Sequence, residues 1–410
     1  MSVNNKLFGK HNVYTVGAGV DYSKIRFSQT AEFGSLNLDR SIVGSGFFAN
    51  NVNPFEINGD LDDRSAKLKG TTTTWSLFGS DTISLQDNLQ LTLSGRYNHT
   101  KINNKDQQTH FEYDPAINGF TTDVNAEASL DGTHRFSRFN PAVGLTYNPT
   151  PSVNTYVGYN EGSRAPTSVE LSCANENAPC SLPNSFAGDP PLKQVVSKTW
   201  EAGLRGKLAN NVIWNAGVFS SRNVDDIQFV AANTSQGFFT NIGETRRRGI
   251  ETGVAGNFGA LNLGGNYSFI DATYQSTETV PGTSSSTGVN NVKPGDRIPL
   301  VPRHILKLFA DYKVNDKFTV GANTLTVAGS YLRGNEDNSH QADGIKFLGD
   351  GKIGGYTVVD FTAAFQLQPE WLLFAKINNV FDREYATAGQ LGQNAFNASG
   401  NLNVVNRRAT

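Results

Sequence analysis

Few residues of this chain have the types and spacing that a reaction requires. Six histidines, His11, His99, His110, His134, His304 and His340, stand far apart and share no metal-ligand spacing. The strings G-x-S-x-G, G-x-x-x-x-G-K-[ST] and H-E-x-x-H do not occur. Gly349 to Gly354 (GDGKIG) matches G-x-G-x-x-G as a string. A dinucleotide site needs a strand before that string and a helix after it. Here the string lies in a polar stretch and leads into a strand-like pattern at Tyr356, so a loop is expected. The sequence therefore predicts a non-enzyme with no catalytic residue, no metal site and no cofactor.

Other polar groups fall into patterns with structural or binding meaning. Cys173 and Cys180 are separated by six residues in a polar stretch without histidine. A disulfide, a metal pair and two free thiols are all conceivable; a loop-bracing disulfide is favoured, and it suits an oxidising compartment. Arg246, Arg247 and Arg248 fall inside a strand-like segment, and such a run suggests a solvated face or a contact with anionic lipid. Alternation puts Arg247 on the face of Glu251, opposite Ile250 and Val254. Two strands earlier, Glu201 and Arg205 lie opposite Trp200 and Leu204 in the same phase. If the apolar face meets lipid, these four charges face a lumen, because a charge on the lipid face near the midplane costs ~2–4 kcal/mol. Their simplest role is an ion-pair ladder that holds the wall or an inserted plug; ligand binding is the alternative.

The elements that carry these residues are strands. Leu89, Leu91, Leu93, Gly95 and Tyr97 alternate with Gln90, Thr92, Ser94, Arg96 and Asn98, and the design recurs at Leu261–Phe269 and Tyr14–Tyr22. Period-two alternation means a strand between two different environments. About 13 strands are expected, near 12–28, 72–87, 88–104, 133–149, 151–163, 196–210, 211–231, 237–258, 259–277, 300–315, 316–334, 355–367 and 370–388. Tight turns at Asp87-Asn88, Pro149 to Ser152, Asn210-Asn211, Gly259-Ala260, Asn315-Asp316 and Pro369-Glu370 alternate with long polar loops. Short connections on one edge and long ones on the other describe an up-and-down meander. The strands exceed the ~5–6 residues usual in soluble sheets and reach the ~9–11 that cross a bilayer. Tyr147, Trp214, Phe258, Phe318 and Trp371 lie beside the tight turns; Tyr97, Tyr159, Phe229, Tyr274, Tyr331 and Tyr385 lie toward the long loops. These two sets are expected to form interfacial girdles.

Composition agrees. The 410 residues are 38% hydrophobic and 10% aromatic, with 41 glycines and a net charge of −2. A chain that is not basic is a poor nucleic-acid binder, so no such partner is expected. The fold class expected is all-β, an antiparallel transmembrane β-barrel. The odd strand count and the polar end at Asn406–Thr410 lead to the further expectation that residues 1–410 are one partial barrel domain, truncated at both ends.

Five segments in order resemble the TonB-dependent outer-membrane receptors. They are Tyr159 to Leu171 (YNEGSRAPTSVEL, with Arg164 and Pro166), Asp189 to Lys193 with Thr199 to Arg205 (DPPLK, TWEAGLR, with Glu201), Asn241 to Glu251 (NIGETRRRGIE, with Gly249), Ile298 to His304 (IPLVPRH) and Ile377 to Ala386 (INNVFDREYA, with Asn379, Phe381, Asp382 and Tyr385). The resemblance implies a 22-stranded barrel closed around an N-terminal plug, of which this chain would supply the ninth to twenty-first strands, without the plug. It implies location in the outer membrane of a Gram-negative bacterium, in contact with its lipid. It also implies import of a scarce small-molecule ligand such as a ferric siderophore, driven through the plug by the TonB complex. A passive porin-like channel, an adhesin and a barrel enzyme are the alternatives.

Overall fold

The computed structural model describes the chain apart from residues 1, 8, 30, 40, 50–55, 58–59, 62–65, 108–110, 115, 118, 123–130, 173–179, 182–191, 209–210, 232–235, 282–288, 393, 395 and 397–410. Among the described residues, fourteen strands follow one another across a single antiparallel sheet. They are β1 (Ser2–Leu7), β2 (Lys10–Gln29), β3 (Ala66–Gln86), β4 (Leu89–Asp106) and β5 (Gly132–Thr150). Next come β6 (Val153–Arg164), β7 (Val195–Leu208), β8 (Val212–Ala231), β9 (Gln236–Phe258) and β10 (Leu261–Tyr274). The sheet ends with β11 (His304–Lys313), β12 (Phe318–Val327), β13 (Tyr356–Gln368) and β14 (Trp371–Ile377). Every strand pairs with its sequence neighbour, and β1 and β14 are the two ends of the sheet. This is the expected meander with an open seam.

Several boundaries differ from expectation: β3 begins at Ala66, not near 72, β12 ends at Val327, not near 334, and both ends of the sheet differ. The additional strand β1 pairs with β2 from Ser2↔Thr15 to Leu7↔Lys10; its polar sequence, SVNNKL, hides it from any apolar pattern. At the other end β14 stops at Ile377, not near 388. Asn379 and Asp382 take left-handed backbone (φ 48° each), which ends the extended chain.

Strand length separates the wall from its environment. β2, β3 and β9 have 20, 21 and 23 residues. Their cross-strand pairing fixes which side chains share a face. One face carries Val16, Val20, Leu93, Val143, Trp200, Leu204, Val218, Ile250 and Val254, all exposed. Val20 is 75% exposed and Trp200 59%. A contiguous apolar band on the outer side of long antiparallel strands is the surface that a membrane barrel presents to lipid. No described helix is long and apolar enough to cross a membrane.

The opposite face is polar at mid-height and packed toward the long loops. Val230, Ile242, Ala272, Tyr274, Val280, Val292 and Ile298 form one buried cluster there. Ile102, Leu171, Leu192, Val195 and Ile227 form a second. Loop segments therefore fold back onto the inner face. This corrects part of the expected upper girdle. Tyr274 is only 2% exposed, with its hydroxyl on Gln228 Oε1 at 2.9 Å. Phe229 packs edge-on against Phe239 at 5.2 Å, and Tyr331 lies under the Arg297 guanidinium at 5.3 Å. Tyr385 stacks on Tyr356 at 4.3 Å. Tyr97 and Tyr159 keep the outward position, beside Trp75 and Trp200 respectively.

Candidate functional site

The first loop element of the site is built by RAPTSVEL. Beyond β6, Pro166 removes a backbone donor and ends the ladder. Thr167 then caps the short helix α1 (Ser168–Ser172). Glu170 N donates to Thr167 Oγ1 (3.1 Å), and Thr167 N donates to Glu170 Oε2 (2.7 Å), a reciprocal capping box. The Arg164 fork donates to both oxygens of Glu170, at 2.7 and 3.0 Å. Leu171, fully buried, packs with Ile102 of β4, and Asn104 Nδ2 donates to Ser168 O at 3.1 Å. Gly70 makes room for the helix, since a β-carbon there would lie 2.7 Å from Ser168 Cβ. Arg164, Pro166 and Glu170 thus clamp α1 onto the inner face of β3 and β4.

The four predicted charges share that inner face. Register pairs place Thr199, Glu201 and Arg205 of β7 in line with Ser221, Phe219 and Asn215 of β8, and these in line with Arg247, Gly249 and Gly253 of β9. Glu251, two residues past Gly249, lies opposite Gly217 and Ser268. Their surroundings differ. Arg247 Nη2 pairs with Asp226 Oδ2 at 3.2 Å, and its Nη1 donates to Thr245 Oγ1 at 3.1 Å. Thr245 Oγ1 donates in turn to the same Asp226 oxygen at 2.6 Å. Arg247 therefore has its carboxylate on the wall itself. Asp226 escaped the sequence reading because Asp225 takes a left-handed turn (φ 52°) that interrupts the alternation of β8. Arg205 Nε donates to Asn154 Oδ1 at 2.9 Å, with its guanidinium 6.0 Å from the Tyr156 ring. Among the described residues, no ion pair reaches Glu201, Arg205 or Glu251. Glu201 and Arg205 line an open depression of about 340 Å³ with Ser94, Ala142, Tyr156 and Gly158.

The segment after β14 also turns onto the inner face. Asn379 N donates to Asp360 Oδ1 at 2.9 Å, and Lys376 Nζ pairs with Asp360 Oδ2 at 3.0 Å. Asn379 brackets Arg383, accepting from its N (2.9 Å) and donating to its O (3.1 Å), while Asp382 N donates to Asn379 O at 2.8 Å. Asn379 and Asp382 hold the turn and Tyr385 seats it on Tyr356; Phe381 is exposed.

At the mouth, Glu336 is buried. Gly334 N donates to its Oε1 and Asn290 Nδ2 to its Oε2, both at 2.8 Å. Burial pushes its carboxyl above the usual range against those two donors. Asp343 is exposed and accepts from the backbone N of Phe347, Ile345 and Lys346, which holds its carboxyl below the usual range. GDGKIG forms a loop: Gly351 has φ 71°, Lys352–Ile353 pairs with Ser330–Tyr331, and β13 follows. No helix opens there, so the dinucleotide geometry is missing. No group of three or more candidate metal ligands occurs among the described residues. Cys173 lies outside the described residues; Cys180 starts a two-residue strand whose backbone pairs with Gly237 of β9.

A sheet with a lipid-exposed outer face, a polar inner face and loop elements folded over the inner side defines an outer-membrane receptor barrel. The family model described as TonB dependent receptor-like, beta-barrel matches residues 2–380. The chain belongs to this family, whose members are β-barrel proteins of the Gram-negative outer membrane, and that is its location. It is 25% identical over 312 residues to the probable TonB-dependent receptor BfrD of Bordetella pertussis, covering 76% of this chain and 37% of that protein. It is 23% identical over 350 residues to the catecholate siderophore receptor Fiu of Escherichia coli, covering 80% and 40%. The chain thus spans about two-fifths of the length of these curated relatives. In three dimensions it resembles the siderophore receptor PiuA from Acinetobacter baumannii, with a TM-score of 0.62 at 17% identity, covering 96% of this chain and 52% of the other. These relatives are named as receptors, not enzymes.

Proposed function

We propose that residues 1–410 supply one barrel domain of an energy-coupled importer, and that its ligand is a ferric siderophore or similar chelate. The match over residues 2–380 carries this reading, and the relatives named as siderophore receptors support the ligand class. The inner face is suited to the task. Glu201 and Glu251 are carboxylates on the lumen side with no ion-pair partner among the described residues, and the loop-covered mouth offers a capture surface above them. An inserted plug would complete the pairing of Glu201, Arg205 and Glu251. Arg247 instead holds the wall through Asp226, and the Cys173–Cys180 disulfide braces the loop beyond α1. Energy enters through the TonB complex, because the outer face of the membrane holds no nucleotide pool.

The test is uptake of radiolabelled iron in siderophore complexes by cells making the complete receptor, with and without working TonB. Uptake is expected to vanish without TonB. Uptake that ignores TonB would reject the importer and favour a passive channel. Arg247→Ala is expected to weaken the mouth without abolishing transport.

A further inference from the structure

The outward face of β2 and β3 is apolar over most of its height. β2 presents Val16, Ala18 and Val20, and β3 presents Leu77 and Trp75, all exposed. Toward the β1–β2 turn at Gly9 the same face changes character. The next outward residues of β2 are Tyr14, Asn12 and Lys10, and Asp81 of β3 is directly opposite Tyr14. On its other side Asp81 is directly opposite Leu93 of β4, which is 46% exposed. A carboxylate therefore stands on the lipid face between a tyrosine and a leucine.

Its hydrogen bonding is incomplete. Asn12 Nδ2 donates to Asp81 Oδ1 at 3.0 Å. Among the described residues no ion pair and no second donor reaches Asp81. Asn12 is only 4% exposed, and its Oδ1 is buried without a hydrogen-bond partner. Turning the amide over does not cure this, because its oxygen would then oppose the carboxylate and Asp81 would lose its donor. Two acceptors thus lack donors in one place. A carboxylate facing lipid needs donors and a counter-charge. Lys10, exposed on the same face and nearer the turn, makes no ion pair among the described residues.

The depth of the pair identifies what supplies them. The short turns of a membrane barrel lie on its periplasmic side. Asn12 is the third residue of β2 after its turn, as Trp214 is the third residue of β8 after its own. Trp214 lies on the outward face opposite Val254, and such an aromatic marks the boundary between acyl chains and headgroups. The Asp81 carboxylate turns down toward Asn12 and so reaches that boundary. An ammonium group brings a positive charge and three N–H donors, which is what Asp81 and the Asn12 oxygen lack. A phosphate a few bonds from that ammonium would meet Lys10. Above the pair, Gly79 leaves a slot between Leu77 and Asp81, where an added β-carbon would touch nothing closer than 3.8 Å, and an acyl chain fits there. We propose that Asp81 and Asn12 bind the primary ammonium of a zwitterionic phospholipid in the periplasmic leaflet. The proposal rests on the outer-membrane location but not on the transported ligand. Its test therefore separates from the uptake test.

The complete receptor, purified in a neutral detergent and stripped of lipid, is titrated with a phosphatidylethanolamine, with the phosphatidylcholine of the same acyl chains, and with free ethanolamine. Native mass spectrometry counts bound lipid, and the melting temperature reports its effect. The choline headgroup keeps the charge but has no N–H to donate. The ethanolamine lipid is expected to bind about tenfold more tightly, the fold-change of one charge-assisted hydrogen bond. Asp81→Asn keeps the side-chain shape and should remove that preference. Asn12→Ala should lower it several-fold and serves if Asp81→Asn does not fold. A hydrogen bond that only holds β2 to β3 would shift the melting temperature in both variants and leave the headgroup preference intact. Equal binding of the two lipids, an unchanged preference in the variants, or displacement of the lipid by millimolar free ethanolamine would each overturn the proposal.

Discussion

Gly249 gives the sharpest test of the sheet register. It lies in β9 directly opposite Phe219 on one side and Ile270 on the other. A β-carbon added there would press into the carbonyl oxygen of Phe269 and stand 3.0 Å from two carbons of the Phe219 ring. The ring can tip; the carbonyl belongs to the β9–β10 ladder and moves only if the ladder opens. Overpacking of this kind costs ~1–3 kcal/mol. Alanine returns ~0.4–1 kcal/mol by restricting the unfolded chain. A net loss of about 1–2 kcal/mol is expected for Gly249→Ala, near tenfold in the folding equilibrium. Urea unfolding in detergent, followed by tryptophan fluorescence, measures it. Gly162→Ala in β6 is the control, since nothing lies within 4 Å of the added carbon, and it should be neutral or stabilising. Shrinking the ring with Phe219→Leu should not rescue Gly249→Ala. Equal stability of the two alanine variants would refute the register at Gly249, and full rescue would move the clash from the backbone to the ring.

Three further outcomes follow from the mouth. Thr167→Ala removes one half of the α1 capping box, worth ~1 kcal/mol; limited proteolysis should cut the 165–194 loop several-fold faster, whereas an unchanged rate would mean that α1 is held by Leu171 alone. Because the Glu336 carboxyl is raised, the folded loop binds its proton more tightly than the unfolded one, so local stability is greatest at low pH and falls as pH rises from the usual carboxylate value to the raised one. Hydrogen exchange of Val289–Val292, corrected for intrinsic rates, should show that slope in the native protein and lose it in Glu336→Gln. Mass spectrometry of unreduced protein should find Cys173 and Cys180 joined, a closure worth roughly 2–3 kcal/mol in the chain-entropy model; two alkylatable thiols would exclude it.

The wall was legible because a membrane strand has no choice about its pattern. Trp200, Ala202 and Leu204 must face lipid and Glu201, Gly203 and Arg205 must not, so two faces appear in the sequence as two interleaved strings. Faces followed wherever that demand operated, from β2 to β13, although β3 starts earlier and β12 stops sooner than the pattern suggests. It fails where lipid is absent. β1 has only Val3 and Leu7 as apolar residues, and Tyr274 and Phe229 lie toward the long loops, where an aromatic residue is equally suited to a girdle and to a buried cluster. The loop elements depend on contacts between distant segments. Leu171 against Ile102, Asn290 against Glu336 and Asn338 against Arg297 join residues 41 to 69 positions apart, and no local pattern encodes them.

The same demand explains how three consecutive arginines serve a single strand. Arg247 turns inward and finds Asp226 and Thr245, so its charge is spent on the wall. Arg246 and Arg248 turn outward, where lipid would ordinarily forbid them. Arg248 lies level with Trp200 across the ladder and Arg246 one level nearer the loops, where an interfacial aromatic marks the passage from hydrocarbon to headgroup. If that boundary lay a further two residues toward the loops, both would be in the acyl region at ~2–4 kcal/mol each. The position of the outward cations thus sets the depth of the barrel in its bilayer. The inward charges depend on what fills the lumen and place no constraint on depth.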